Sequence, residues 1–420
     1  MTARKETFQT RQIRDALLRF LAVPVGNNRR ISPFPCGSMG GTFPAQASAV
    51  WARLCGGKDH ASWRSDAVRR LVPFAILALL GLTLAAPVGA SNAEHFAHTY
   101  LHVRPNVSAS PTGLSPATIK SVYGFSTSAT AGAGKTIAIV DAYNNPTAES
   151  DLGVFSSQYG LPACTTANGC FKKVNQTGGT SYPRTNSGWA LEIALDIQWA
   201  HAIAPGAKIL LVEARTNSFA NLLAAEDYAN AHADYVSNSW GASEFSSETS
   251  YDSHFAAGKA FVSAGDNGTP AEYPSSSPNV VSVGGTTLHF SGGNFTSETG
   301  WSGGGGGCSL YESKPAGQTT GSISCGTKRA TPDVSLDADP ASGVSVYDST
   351  KYQGLAGWWT VGGTSASSPM LAGHAAVLGV TPSMSYLYGG SISLRDITVG
   401  NNGAPCLSGY DLCTGRGSWL

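Results

Sequence analysis

The chain has 420 residues, of which only 13% are charged, and 27 Lys and Arg balance 27 Asp and Glu. That balance leaves no basic excess for a nucleic-acid surface, and 42% hydrophobic residues exclude a disordered chain. Fifty glycines and few charges fit a secreted enzyme long enough for one large core or two moderate ones.

Residues 1–68 carry scattered Arg, Pro and Gly with no sustained period, as expected of a disordered extension or of a start site placed too far upstream. Arg69-Arg70 then precede an uncharged apolar run over 71–88, closed by Gly89-Ala90. This is the layout of a secretory signal, 69–90, cut after Ala90. The run is barely long enough to span a bilayer, so an uncleaved anchor is the alternative and the one route to a membrane. Six cysteines follow: Cys164, Cys170, Cys308, Cys325, Cys406 and Cys413. In an exported chain they read as disulfides, and pairing sequence neighbours (164/170, 308/325, 406/413) is the simplest of fifteen arrangements.

A short arm, 91–113, leads to an amphipathic helix over 117–123 and a Gly-rich turn. Residues 135–140 are an apolar, β-branched run that reads as a buried parallel strand ending at Asp141. A helix is expected over 148–159, and a second, strongly apolar one over 188–200. On that second helix Glu192 and Asp196 stand four residues apart and share a face, either in apolar surroundings or on a solvated stripe. A strand over 207–213, a helix over 219–231, a strand over 235–241, a helix near 251–257 and a strand over 260–264 follow. Strands alternating with helices at this spacing indicate an α/β fold, a doubly wound and mostly parallel sheet flanked by helices. Asp266 falls at a strand end, where active groups gather, although Asp266-Asn267-Gly268 is also a plain turn signal.

Residues 280–325 are rich in Gly and Ser and read as short strands and surface loops. A strand through Trp358-Trp359-Thr360-Val361 then leads to Gly362-Gly363-Thr364-Ser365-Ala366-Ser367-Ser368-Pro369 and an apolar helix. Ser365 is expected in the first turn of that helix, where free backbone N–H groups and the positive dipole end suit a developing anion. Pro369 is expected in the same turn, where its missing N–H is tolerated. A Ser/Thr-rich N-cap is the plainer reading. Near the end Asp396 and Asp411 flank a Gly/Asn-rich loop, as turn formers or as oxygen donors to a hard cation.

Together, Gly363-Thr364-Ser365-Ala366-Ser367 with Pro369, the Glu192/Asp196 pair, Ser263-Ala264-Gly265-Asp266, and Asp396-Ile397-Thr398 with Gly409-Tyr410-Asp411 resemble the sedolisin family of serine-carboxyl peptidases. The resemblance covers about 114–417 and implies a subtilisin-like peptidase domain over 114–420. It implies Ser365 as nucleophile, Glu192 as general base, Asp196 as its partner and Asp266 as the oxyanion-hole group, with Asp141 supporting the pair. Ser239-Trp240-Gly241 resembles the strand that lines the substrate backbone. It also implies one structural Ca²⁺ held by Asp396 and Asp411 side chains and by backbone near Ile397, Leu407 and Gly409. The expected protein is a secreted, monomeric, acid-acting endopeptidase whose partners are protein or peptide substrates. Family members carry a large folded pro-region, whereas 91–113 leave room for a short arm only.

A conventional subtilisin would need a His-Gly-Thr helix start, which is absent; Glu192 stands there, and Asp266 stands where that enzyme has Asn. The alternative from another class is a catalytically silent binding domain of the same fold. The chemistry itself favours acid. Two close carboxyls share a proton and titrate as a pair, and Asp266 must be protonated to donate to an oxyanion.

Overall fold

A computed structural model describes residues 94–104, 107–390 and 392–420. The extension and secretory segment expected over 1–90 lie outside the described residues.

The arm supplies two short strands, β1 (His98–Thr99) and β2 (His102–Val103), and leads to helix α1 (Pro116–Tyr123). The hydroxyl of Ser115 caps α1 by accepting from Thr118 N at 3.2 Å. There follow β3 (Thr136–Ala142), α2 (Ala148–Tyr159), β4 (Phe171–Asn175), α3 (Ser187–Ile203), β5 (Lys208–Ala214), α4 (Phe219–His232), β6 (Tyr235–Asn238), β7 (Trp240–Ser243) and β8 (Ala260–Ser263). Then come β9 (Glu272–Tyr273), β10 (Val281–Ser291), β11 (Asn294–Gly300), β12 (Gly307–Ser313), β13 (Lys328–Thr331), β14 (Val334–Asp337), β15 (Val344–Tyr352) and β16 (Leu355–Gly362). Helices α5 (Thr364–Leu378) and α6 (Met384–Tyr388) and the edge strands β17 (Leu394–Arg395) and β18 (Ser418–Trp419) complete the described chain.

The main sheet runs β17-β18-β14-β10-β8-β6-β3-β5-β4. From β14 to β4 every neighbouring pair is parallel. Successive residues of β3 explain the layers: Ile137 and Ile139 join the core beneath α2, α3 and α5, while Ala138 and Val140 join the core beneath α4. Both faces are therefore covered, as a parallel sheet requires. The chain leaves β3, fills one side with β4 and β5, then crosses to β6 on the other side. Asp141, the next-to-last residue of β3, sits at this switch point, where open α/β sheets hold their sites.

Three local expectations differ from what forms. The helix near 251–257 is a 3-10 turn over Glu248–His254, because Phe255 leaves the helical path to be buried against Trp240 and Tyr273. The Gly/Ser-rich region begins with an 11-residue strand, β10, whose first half is sandwiched between β8 and β14 in the main sheet. Pro369 is the sixth residue of α5, one turn deeper than expected.

Candidate active site

Ser365 is the second residue of α5 and is fully buried. The chain enters this helix through Gly363 at φ 104°, a left-handed-side conformation that a side chain would oppose. A Cβ there would also collide with the carbonyl oxygen of Tyr100 and stand 2.8 Å from Asp266 Oδ2. Pro369 cannot donate to the carbonyl of Ser365 four residues earlier. The hydroxyl of Ser239 donates to that carbonyl instead, at 3.2 Å. The same hydroxyl lies 3.0 Å from Asp196 Oδ1, so Ser239 ties the start of α5 to the carboxyl pair.

Helix α3 is buried on all sides from Trp189 to Ile203, which makes it a core helix. Glu192 and Asp196 are therefore fully buried, and the solvated-stripe alternative falls. Neither Glu192 oxygen, neither Asp141 oxygen, nor Ser365 Oγ has a hydrogen-bond partner among the described residues. Burial first, then the Asp196 charge, pushes the Glu192 carboxyl well above the usual carboxylate range. The Ser365 and Thr99 hydroxyls beside Glu192 oppose that rise. Asp196 is raised by burial and held back by Ser239. Asp141 is raised by burial, then by Asp196, Glu192 and Glu213, and nothing opposes it.

Asp266 lies three residues past β8 and reaches the start of α5. Its Oδ1 accepts from Thr364 N at 2.9 Å and from Thr364 Oγ1 at 2.7 Å, so Asp266 acts as a cap for the helix that carries Ser365. Burial raises its carboxyl, while His102 and Thr364 act against the rise. His102 is the histidine that reaches this site, its Nε2 3.2 Å from Asp266 Oδ2. His201 faces elsewhere, 2.9 Å from the Pro162 carbonyl. The structure thus gathers Ser365, Glu192, Asp196, Asp141 and Asp266 in one place. The sequence offered no motif for Thr99, Tyr100 and His102, which join them from the arm.

The C-terminal loop is a separate locus. Asp396 accepts from Gly409 N at 3.0 Å and Ser408 Oγ at 3.1 Å, and Asp411 accepts from Leu407 N at 2.6 Å and Thr414 N at 2.7 Å. Two carboxylates thereby converge on the turn 407–409, inside a loop closed by a Cys406–Cys413 disulfide. Carboxylate oxygens are the ligands a hard cation takes, and here both Asp side chains accept chiefly from backbone N–H groups. The other two disulfides join Cys164 to Cys170 and Cys308 to Cys325, so all three sequence-close pairings hold. His201 lies close to Cys164 and Cys170, but both sulfurs are committed to the disulfide and leave no thiolate for a metal.

A parallel sheet with a serine buried at a helix start beyond its carboxyl edge defines a subtilisin-like protein, and the subtilase family model matches residues 175–386. The chain belongs to the subtilase family and, within it, to the sedolisin branch. Kumamolisin of Bacillus sp. (strain MN-32) is 30% identical over 362 residues, covering 74% of this chain and 63% of that protein. Sedolisin of Pseudomonas sp. (strain 101) is 36% identical over 172 residues, covering 35% of this chain and 28% of that protein. The chain therefore spans less than two thirds of the length of these relatives. The solved structure of Pseudomonas sedolisin, a serine-carboxyl proteinase complexed with pseudo-iodotyrostatin, superposes with TM-score 0.64 at 28% identity, covering 74% of this chain and 96% of that one.

Proposed function

We propose that this chain is a secreted serine-carboxyl endopeptidase that hydrolyses peptide bonds of proteins in acid, through an acyl-enzyme on Ser365. The observation that carries this reading is the buried Ser365 hydroxyl beside a buried, unpartnered Glu192 carboxyl at a helix N-terminus.

Serine is a weak nucleophile until a base takes its proton. Glu192 takes that proton as Ser365 Oγ attacks the substrate carbonyl carbon. Burial raises the proton affinity of Glu192, which makes it a stronger base than an exposed carboxylate. Asp196, fixed by Ser239, shares the remaining proton of the pair, and Asp141, which has no donor, stays protonated so that the cluster holds less charge. Asp266 donates from Oδ2 to the oxyanion in place of a neutral amide. Keeping an Asp of ordinary pKa about 3.9 protonated three pH units higher would cost roughly 4 kcal/mol. Burial lowers that cost without removing it, and acid working conditions follow. The leaving amine takes the proton back from Glu192, and water delivered by the same base releases the acyl group.

Asp396 and Asp411, with backbone oxygens near Ile397, Leu407 and Gly409, would hold one Ca²⁺ that ties the loop together and takes no part in the reaction. Three disulfides suit an oxidising compartment. The test is digestion of casein at about pH 4, where carboxyls near their ordinary pKa are half protonated. Wild type should digest it and Ser365→Ala should not. Equal digestion by both, or by neither, overturns the reading, and the latter leaves the silent binding domain.

A further inference from the structure

The row of buried carboxyls does not end at Asp141. Asp141 and Glu213 are register partners across β3 and β5. Ile139 and Leu211, two residues earlier on each strand, join the core beneath α3, so both carboxyls lie on the face that α3 covers. Glu213 is fully buried, as Asp141 is. Its Oε1 accepts from Asn145 N at 2.9 Å, and Lys173 Nζ stands 3.4 Å from the same atom. Its Oε2 is buried with no hydrogen-bond partner, and so are both oxygens of Asp141. Burial pushes Glu213 up to about 7, against Lys173 and the Asn145 N–H, so it carries a proton in acid.

Lys173 is held as closely. Its Nζ donates to Asn144 Oδ1 at 2.7 Å and to Asn145 O at 2.9 Å, and it lies 4.2 Å from the centre of the Tyr182 ring, with the side chain 14% exposed. Asn145 in turn donates from Nδ2 to Ala190 O at 2.8 Å, on the helix that carries Glu192. Among the described residues, the titratable groups that face Glu213 are Lys173 from β4, Asp141 from β3 and Tyr182 from the loop after β4. An ammonium and a backbone N–H can only donate. They fix Oε1 as an acceptor, which leaves the proton of Glu213 on Oε2.

We propose that Lys173 and Glu213 are positioning residues that set the direction of this row: Glu213 turns its proton to Asp141, and Asp141 turns its own to the Glu192/Asp196 pair. This rests on the peptidase reading above. The donor that Asp141 lacks among N–H and hydroxyl groups is then Glu213. Neighbouring O–H groups align head to tail, because a carboxyl that accepts on one oxygen donates from the other. The single negative charge of the pair is thereby held from behind, by Asp141 as well as by Ser239, and Glu192 keeps an oxygen open to Ser365. A row facing the other way would draw the Asp141 proton to Glu213 and leave the pair with the Ser239 hydroxyl alone. Substrate meets the opposite end of the row, so the effect falls on kcat and not on KM.

The test follows kcat and KM for an unstructured peptide against pH, with melting temperatures, in the full chain and its variants. Lys173→Met/Glu213→Leu removes the ammonium and the carboxyl together, so neither is stranded and the melting temperature should hold. Its kcat should fall at least about tenfold with KM within about twofold. The acid limb of kcat/KM should move up by at least about 0.5 pH unit, because a pair that loses a donor to its charged form takes up its second proton more readily. Glu213→Gln, whose amide oxygen still accepts from Lys173 and whose N–H still donates, should stay within about threefold of wild type with its acid limb in place. A double variant with the wild-type rate and limb, or a Glu213→Gln as slow as the double variant, would overturn the proposal and leave the peptidase standing. A wild type without turnover would overturn both. Infrared spectra at about pH 5.5, above the ordinary Glu value, test the direction apart from turnover. Glu213→Gln should lose one protonated-carboxyl band there, and an unchanged band would mean that Glu213 is ionised and accepts, which reverses the row.

Discussion

Among the carboxyls buried completely in the described residues, two sets are partnered in opposite ways. Asp333 accepts from Arg329 through both oxygens, at 2.7 and 2.5 Å, and also from Ser282 N at 2.8 Å and Tyr388 Oη at 2.7 Å. Glu192 and Asp141 accept from no group within hydrogen-bonding geometry among the described residues. A buried polar group left without a partner costs about 1–3 kcal/mol, more if charged, so a chain that satisfies Asp333 so fully and leaves Glu192 bare is keeping Glu192 for something other than stability. On the proposed function, Asp333, saturated with donors, holds the fold, and the bare Glu192 and Asp141 hold protons for chemistry.

The comparison breaks most visibly on activity. Glu192→Gln and Ser365→Ala should each lower kcat by at least about 10⁴-fold, with the double variant little worse, because parts of one catalytic unit are strongly non-additive. Neither should lower the melting temperature. A Glu192→Gln protein that unfolds would place Glu192 with Asp333 as a structural group. Conversely, Asp333→Ala should cost about 3–5 kcal/mol by stranding the Arg329 guanidinium in the core, measured by denaturant unfolding, while the folded fraction keeps its kcat. Loss of kcat without loss of stability would erase the distinction.

Stability against pH sharpens the same contrast. Asp141, Glu192, Asp196 and Asp266 are raised chiefly by burial, and burial pushes Glu226 to about 8 and Glu248 to about 9. The folded state keeps protons that the unfolded chain releases above about pH 4, so the stability these groups contribute is complete below that and is lost as pH climbs toward 9. His374, lowered to about 4 by burial, and His201, also lowered by burial, act in reverse, losing stability as pH falls below about 6.5. They are outnumbered. With chelator present, the melting temperature should be higher at pH 4.5 than at pH 8 by differential scanning calorimetry; the opposite order would mean that the bare carboxyls are not protonated in the folded state.

The smallest effect belongs to the metal loop. Ca²⁺ at a hundredfold excess over its Kd stabilises the folded state by about 2.7 kcal/mol. Chelation should therefore lower the melting temperature at pH 6 and less so at pH 3, where protonation competes for Asp396 and Asp411. Asp396→Asn should behave like the chelated protein. No change with chelator at pH 6 would leave these Asp residues as loop holders, with the donors they already have.

The sheet was legible because its strands are short apolar runs with helices between them, and α2 has the bounds its pattern implied. The pairing of Glu192 with Asp196 followed from their spacing of four, but their burial did not, since that depends on apolar residues all around α3. β10 was hidden by Gly and Ser, which a strand buried between two neighbours tolerates and a half-exposed one would not signal. Pro369 read as a first-turn residue because the donor that takes its place, Ser239, lies 126 residues from the Ser365 carbonyl it serves. The seat of the arm left no local trace either: Tyr100 and Glu272 meet across 172 residues, and His-Thr-Tyr-Leu-His has neither apolar period nor turn chemistry.

The central claim is that a carboxyl, and no imidazole, takes the proton of Ser365. The dependence of kcat/KM on pH for an unstructured peptide, measured from about pH 2 to 9 on the purified enzyme, tests it most directly. A maximum well below pH 6 is expected, with a fall toward neutrality as Asp266 loses the proton it donates. A rate that climbs through about pH 6.5, the ordinary histidine pKa, to a maximum at pH 7–9 would contradict it.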